Sequence, residues 1–151
     1  MKQIFSSLAV FAVWGSLWAG PIDSEIDRIL VEYFKIQRAL ARDTTKGVAE
    51  ASRRIADLAA TIRAEGPAAE AAAAIHKAAA GLTAPDLDTA RQQFFALSRP
   101  LLEYLHQHYQ GGREYFRYFC SMARKGWVQE DEEVRNPYHG TAMLTCGERI
   151  G

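Results

Sequence analysis

The chain has 151 residues, with 18 basic against 18 acidic side chains and 48% apolar residues. That length and apolar content suit one domain with one core. The balanced charge leaves no basic field for nucleic acid or an anionic membrane surface, and no basic stripe with interleaved aromatics occurs.

The first twenty residues read as a targeting segment. Lys2 supplies a short positive region, Ile4 to Trp14 an apolar run, and Ser16 to Gly20 a zone of small residues suited to cleavage after Ala19. A short uncleaved anchor is the alternative, but spanning a bilayer takes about 20 apolar residues. No cysteine follows the run to carry a lipoprotein anchor. Residues 1–19 are therefore expected to be a signal peptide, and 20–151 a single exported, periplasmic domain with no membrane contact in its mature form.

Four amphipathic segments follow. Asp23 or Ser24 can cap the first, where Ile26, Ile29, Leu30, Tyr33, Phe34, Gln37 and Leu40 keep a spacing of three and four from Ser24 to Arg42. Asp43 to Thr45 form a turn, after which Val48, Ala51, Ile55, Leu58 and Ile62 mark a bundle-type seam. Gly66 and Pro67 separate this from an alanine-rich third helix, Ala68 to Ala80. Asp86 caps a fourth, with Leu87, Ala90, Phe94, Leu97, Leu101 and Leu105 on one face. Pro100 falls inside that pattern and predicts a kink near Leu97 or a break. Gly111 and Gly112 end the helical part. The predicted fold is all-α: an up-down four-helix bundle with a compact, irregular Cys- and Met-bearing tail at 115–151, with room for a short hairpin.

The tail holds both cysteines, Cys120 and Cys146, and both methionines besides the initiator, Met122 and Met143. In an extended segment Cys120 and Met122 project to one side. Met143 and Cys146, three apart, share a side of a helical turn. A turn at Asn136 to Gly140 would fold one arm onto the other, so that two thiolates and two thioethers converge, with the His139 imidazole between the arms. Such soft donors select Cu(I), with Ag(I) or Zn(II) as further candidates. A thioether carries no proton, whereas a cysteine must lose one to bind. The competing reading is a Cys120–Cys146 disulfide, permitted by export and worth roughly 3 kcal/mol. The methionines would then be core filler.

Cys120-Ser121-Met122, Trp127, Asn136-Pro137-Tyr138-His139-Gly140, Met143 and Cys146-Gly147 resemble the signature of a bacterial periplasmic domain-of-unknown-function family. That family is found C-terminally in copper/silver efflux adaptor (membrane-fusion) proteins and as stand-alone exported proteins. Leu97-Ser98 is similar to the pair that closes its helical body. The resemblance implies heavy-metal handling, copper first, with an efflux adaptor as partner and Cys120, Met122, Met143 and Cys146 as the matching positions. Ser121 stands where the family pattern has proline, and His139 where it has an aromatic residue.

The remaining candidates read as ordinary surface or core. His106 and His108, two apart on a helix, do not face together, and His76 stands alone. Glu130 to Glu133 are a solvated acidic run, and Trp127 and Tyr138 a small core for the tail. No CxxC pair, haem-attachment motif, phosphate loop or nucleophile elbow is present, so no catalysis is expected. Two functions follow as expectations: a soft-metal carrier that sequesters Cu(I) or delivers it to efflux, or a non-enzymatic, disulfide-stabilised module that presents Trp127 and the Asn136 to Gly140 loop to a protein.

Overall fold

The computed structural model describes residues 22–151; the expected signal peptide lies outside the described residues. Four helices come first: α1 (Ile22–Ala41), α2 (Val48–Thr61), α3 (Pro67–Ala80) and α4 (Leu87–Gln107). Each packs on its neighbour in sequence. None is long and apolar enough to cross a membrane.

Local chemistry sets the helix limits. Asp86 accepts from the Thr89 amide at 2.8 Å and so serves an orphan donor of the first turn of α4. Pro67 occupies the first turn of α3, where a missing N–H costs nothing. The buried faces of α1 and α2 largely follow their apolar spacing, with Ile36, Ala41, Ser52, Ala56 and Ala59 added and Leu58 and Ile62 only partly buried. Ser52 lies on the α2 face turned to α3, and its hydroxyl donates to the Ala79 carbonyl at 2.8 Å. α4 runs through Pro100 as one helix, so of the expected kink or break the break does not occur. Proline withholds only the bond to the carbonyl of Ala96, which is exposed and can be served by solvent.

The C-terminal region corrects the all-α expectation. It is an ordered, three-stranded antiparallel sheet in the order β2-β1-β3, where β1 is Phe116–Cys120, β2 is Lys125–Gln129 and β3 is Glu148–Arg149. The hairpin is not built from the Cys/Met arms. It joins β1 to β2 in the register Cys120↔Lys125 through Phe116↔Gln129, closed by a turn in which Arg124 takes φ +53. The Met143 arm is instead a 3-10 turn, Gly140–Met143. Alternation drives the change: Tyr118 and Cys120 point inward from β1 while Phe119 stays 40% exposed, a period-2 pattern within an aromatic run.

The sheet is part of the main core. β2 packs on α4 and touches α1, and Trp127 and Val128 are fully buried there. Aromatic rings link the layers. Tyr118 stacks on Trp127 at 5.6 Å, Trp127 meets Tyr138 edge-on at 6.0 Å, Tyr138 meets Phe94 at 5.9 Å, and Phe94 meets Tyr33 at 4.8 Å. Buried hydroxyls inside this chain are satisfied. Tyr33 bonds Ser98 at 2.7 Å, Ser98 donates to the Phe94 carbonyl at 2.8 Å, and Tyr138 donates to the Gly126 carbonyl at 2.7 Å.

Trp127→Ala removes the central ring of the chain and is expected to cost about 3–5 kcal/mol. Urea unfolding followed by circular dichroism measures it; a cost below about 1 kcal/mol would show that the sheet holds to the helices without the indole.

Candidate metal centre

Cys120 ends the central strand and is fully buried, and Cys146, half-buried, precedes β3. No disulfide bond joins them, and their sulfurs lie 2.8 Å apart, against about 2.05 Å for such a bond. Their meeting follows from strand register rather than from a turn at Asn136. β3 pairs with β1 as Tyr118↔Arg149 and Phe119↔Glu148. Continued by one step, that register sets Cys120 opposite Gly147, beside Cys146. Gly147 cannot carry a side chain, because a Cβ there would lie 2.6 Å from the Trp127 ring.

Asn136 shapes the loop that carries Cys146. It is fully buried, its side-chain amide donates to the Cys146 carbonyl at 2.6 Å, and its Oδ1 accepts from the Tyr138 and His139 amides at 2.8 and 3.1 Å. Its own amide donates to the Leu144 carbonyl at 2.7 Å. A second clamp reaches the loop from the helices. Arg91 on α4 donates to the carbonyls of Pro137 at 2.9 Å and Leu40 at 3.1 Å, and pairs with Asp43 at 2.6 Å. Asp43 accepts from the Thr141 amide at 3.1 Å and from its hydroxyl. Gly140 is required between them: its φ is +56, and a Cβ would collide with the Asp43 carboxylate.

The two thiols differ electrostatically. Burial pushes the Cys120 thiol up. The hydrogen bond from Cys146, the Ala123 and Met122 amides and the Asn136 side chain outweigh it, and the net shift is downward. Ala123 donates to this sulfur at 3.4 Å. Cys146 is raised, first by its hydrogen bond to Cys120, then by burial and by the charges of Cys120 and Glu148. The two sulfurs share a hydrogen bond and therefore titrate as a pair.

The other expected ligands make no side-chain hydrogen bond to this pair among the described contacts. Met122 is 66% exposed in the β1–β2 turn, two residues from Cys120. Met143 is half-buried at the end of the 3-10 turn, and its carbonyl accepts from the Cys146 amide at 3.0 Å. His139 is half-buried, and its Nε2 is buried without a partner. Among the described residues no group of three or more His, Cys, Asp or Glu side chains could hold a metal ion. A metal here would therefore rest on the two thiolates with thioether support. Metal–thiolate bonds of about 2.3 Å, the zinc value, require sulfurs about 3.7–4.6 Å apart. The pair fits such an ion once Cys146 moves outward by about 1–2 Å. Cys120, fully buried and paired with Lys125 of β2, has less freedom to move.

The other candidates stay apart. His76 bonds the Ala56 carbonyl at 2.9 Å, His106 bonds Arg117 at 2.9 Å, and His108 lies against the Tyr104 ring. Glu130, Glu132 and Glu133 each pair with arginine. Asp43 and Arg91 escaped the sequence reading, because residues nearly fifty apart with no shared motif give no sign of pairing.

Asn136→Ala leaves the Cys146 carbonyl and two loop amides without their partner, and is expected to cost about 3–5 kcal/mol by denaturant titration. Disulfide formation under mild oxidant should slow with it; unchanged stability and oxidation rate would show that β3 pairing alone places Cys146. Asp43 is held below the usual carboxylate range by the Thr141 hydroxyl, then by Arg91 and the Thr141 amide. A depressed folded pKa adds stability that is present above the unfolded value, about 3.9, and is lost as pH falls through the folded one. The melting temperature should therefore fall below about pH 4, less steeply in Asp43→Asn; identical acid slopes would remove the clamp from the account.

No family model, curated protein or solved structure matches the chain. The family resemblance thus rests on the tail motifs alone.

Proposed function

We propose that the protein is a periplasmic soft-metal binder that takes Cu(I), and Ag(I) second, for sequestration or delivery to a heavy-metal efflux adaptor. One observation carries this: two free thiols from separate elements lie 2.8 Å apart, with an exposed thioether two residues from the buried one. Cys120 and Cys146 are the anchoring ligands. Met122, two residues from Cys120, has an exposed thioether that can meet an incoming ion and needs no deprotonation. Met143 adds a second thioether from the loop, and His139 offers an unpartnered imidazole nitrogen. The reading includes no catalysis. Thiolate donors and a two-sulfur anchor favour a monovalent soft ion over zinc, which takes four ligands in structural sites.

The same separation favours a second reading, because sulfurs this close need to approach by less than 1 Å to bond. The protein would then be a disulfide-stabilised, non-enzymatic interaction module.

Native intact mass with alkylation but no reductant, followed by competition for Cu(I) against a chelator, separates the two. The metal reading expects two alkylatable thiols and one Cu(I) per chain. It expects loss of tight binding in Cys146→Ser, and about tenfold weaker binding in Met122→Leu, the equivalent of 1.4 kcal/mol. Blocked thiols in the exported protein, with no Cu(I) uptake after reduction, would overturn it in favour of the disulfide module.

A further inference from the structure

The outer seam between α3 and α4 carries an inference independent of metal. Two cavities of about 530 and 430 Å³ adjoin along the outer seam between α3 and α4 and share Ala74, Pro100 and Glu103. Together they form one shallow groove, apolar at its middle. Lys77 and Arg99 line one half, Glu70 lines the other, and Glu103 borders both. All four charged residues are exposed, and none has an ion-pair partner among the described residues.

The seam between α1 and α2 is different. Most of its charges are paired: Glu32 pairs with Lys35 at 2.6 Å and Arg54 at 3.8 Å, Arg54 also pairs with Glu50, and Arg28 pairs with Glu25 at 2.9 Å. The α3–α4 seam has the same kinds of side chain and leaves them open.

We propose that this groove is the interface of a homodimer. α3 and α4 run antiparallel, so Lys77 and Arg99 lie toward one end of the groove and Glu70 toward the other, with Glu103, one turn past Pro100, between the middle and the acidic end. A two-fold axis through that midpoint sets Glu70 and Glu103 of each copy over Lys77 and Arg99 of the other. Such an isologous contact is complementary to itself. A partner of single charge sign would be repelled over half the groove. Alanines on α3 let a second helix pair approach to the closer end of the 8–10 Å range of packed helices. The groove follows the 14 residues of α3, about 21 Å. Contact over so short a length makes a weak, micromolar dimer whose ion pairs respond to salt.

Sedimentation equilibrium on the reduced, metal-free protein tests this. The wild type is expected to dimerise with rising concentration at low salt and to dissociate at high salt. E70K/E103R makes the groove wholly basic and K77E/R99E wholly acidic, so each variant alone should associate at least tenfold more weakly. Mixed one to one, they should recover dimer. Circular dichroism checks that both remain helical, and Arg54→Glu on the other seam should leave association unchanged. A wild type that stays monomeric up to millimolar concentration, reversal variants that dimerise unmixed, or a mixture that stays monomeric would each overturn the proposal.

Discussion

The two-residue strand β3 pairs with β1 at Tyr118 and Phe119, and the thiol pair exists because it does. So short a ladder cannot hold a loop by itself. It is reinforced at three points from outside the sheet. The Asn136 amide grips the Cys146 backbone, Arg91 and Asp43 fasten the loop to the ends of α1 and α4, and Gln37 on α1 donates to the Arg135 carbonyl at 2.6 Å. The helices thus do more than support the tail. Their polar side chains complete the backbone hydrogen bonding of a segment that has little regular structure of its own.

The parts legible in the sequence were those with a local cause. Helix spacing, the Asp86 cap and the Gly66-Pro67 punctuation each act within a few residues, and all four helices lie close to their predicted bounds. The sheet was not legible because its evidence is non-local. Phe116 to Cys120 alternate correctly but are too few to separate a strand from a helical turn, and β3 is only two residues long. The convergence of Cys120 and Cys146 was foreseen by the wrong route. A turn at Asn136 was expected to fold the arms together, whereas Asn136 organises the loop through its side chain and strand pairing brings the sulfurs into contact.

In the proposed soft-ion site the two cysteines would divide the requirements between them. Cys120 is fully buried at the end of a strand, and Cys146 is half-buried and mounted on a loop. One fixed and one adjustable donor can accept ions that need different sulfur separations, whereas two fixed donors would select a single bond angle. The arrangement also explains how one geometry serves a dithiol and a disulfide, since both states differ by a small excursion of the same loop.

Trp127 gives the centre an intrinsic optical probe. The chain has tryptophans at 14, 18 and 127, and the first two belong to the expected signal peptide. In the processed protein the emission would therefore come from one indole. That indole is buried against Gly147, next in sequence to Cys146. Outward travel of Cys146 to admit an ion would loosen this packing and alter the fluorescence, so occupancy at the sulfurs is coupled to a signal that needs no added label.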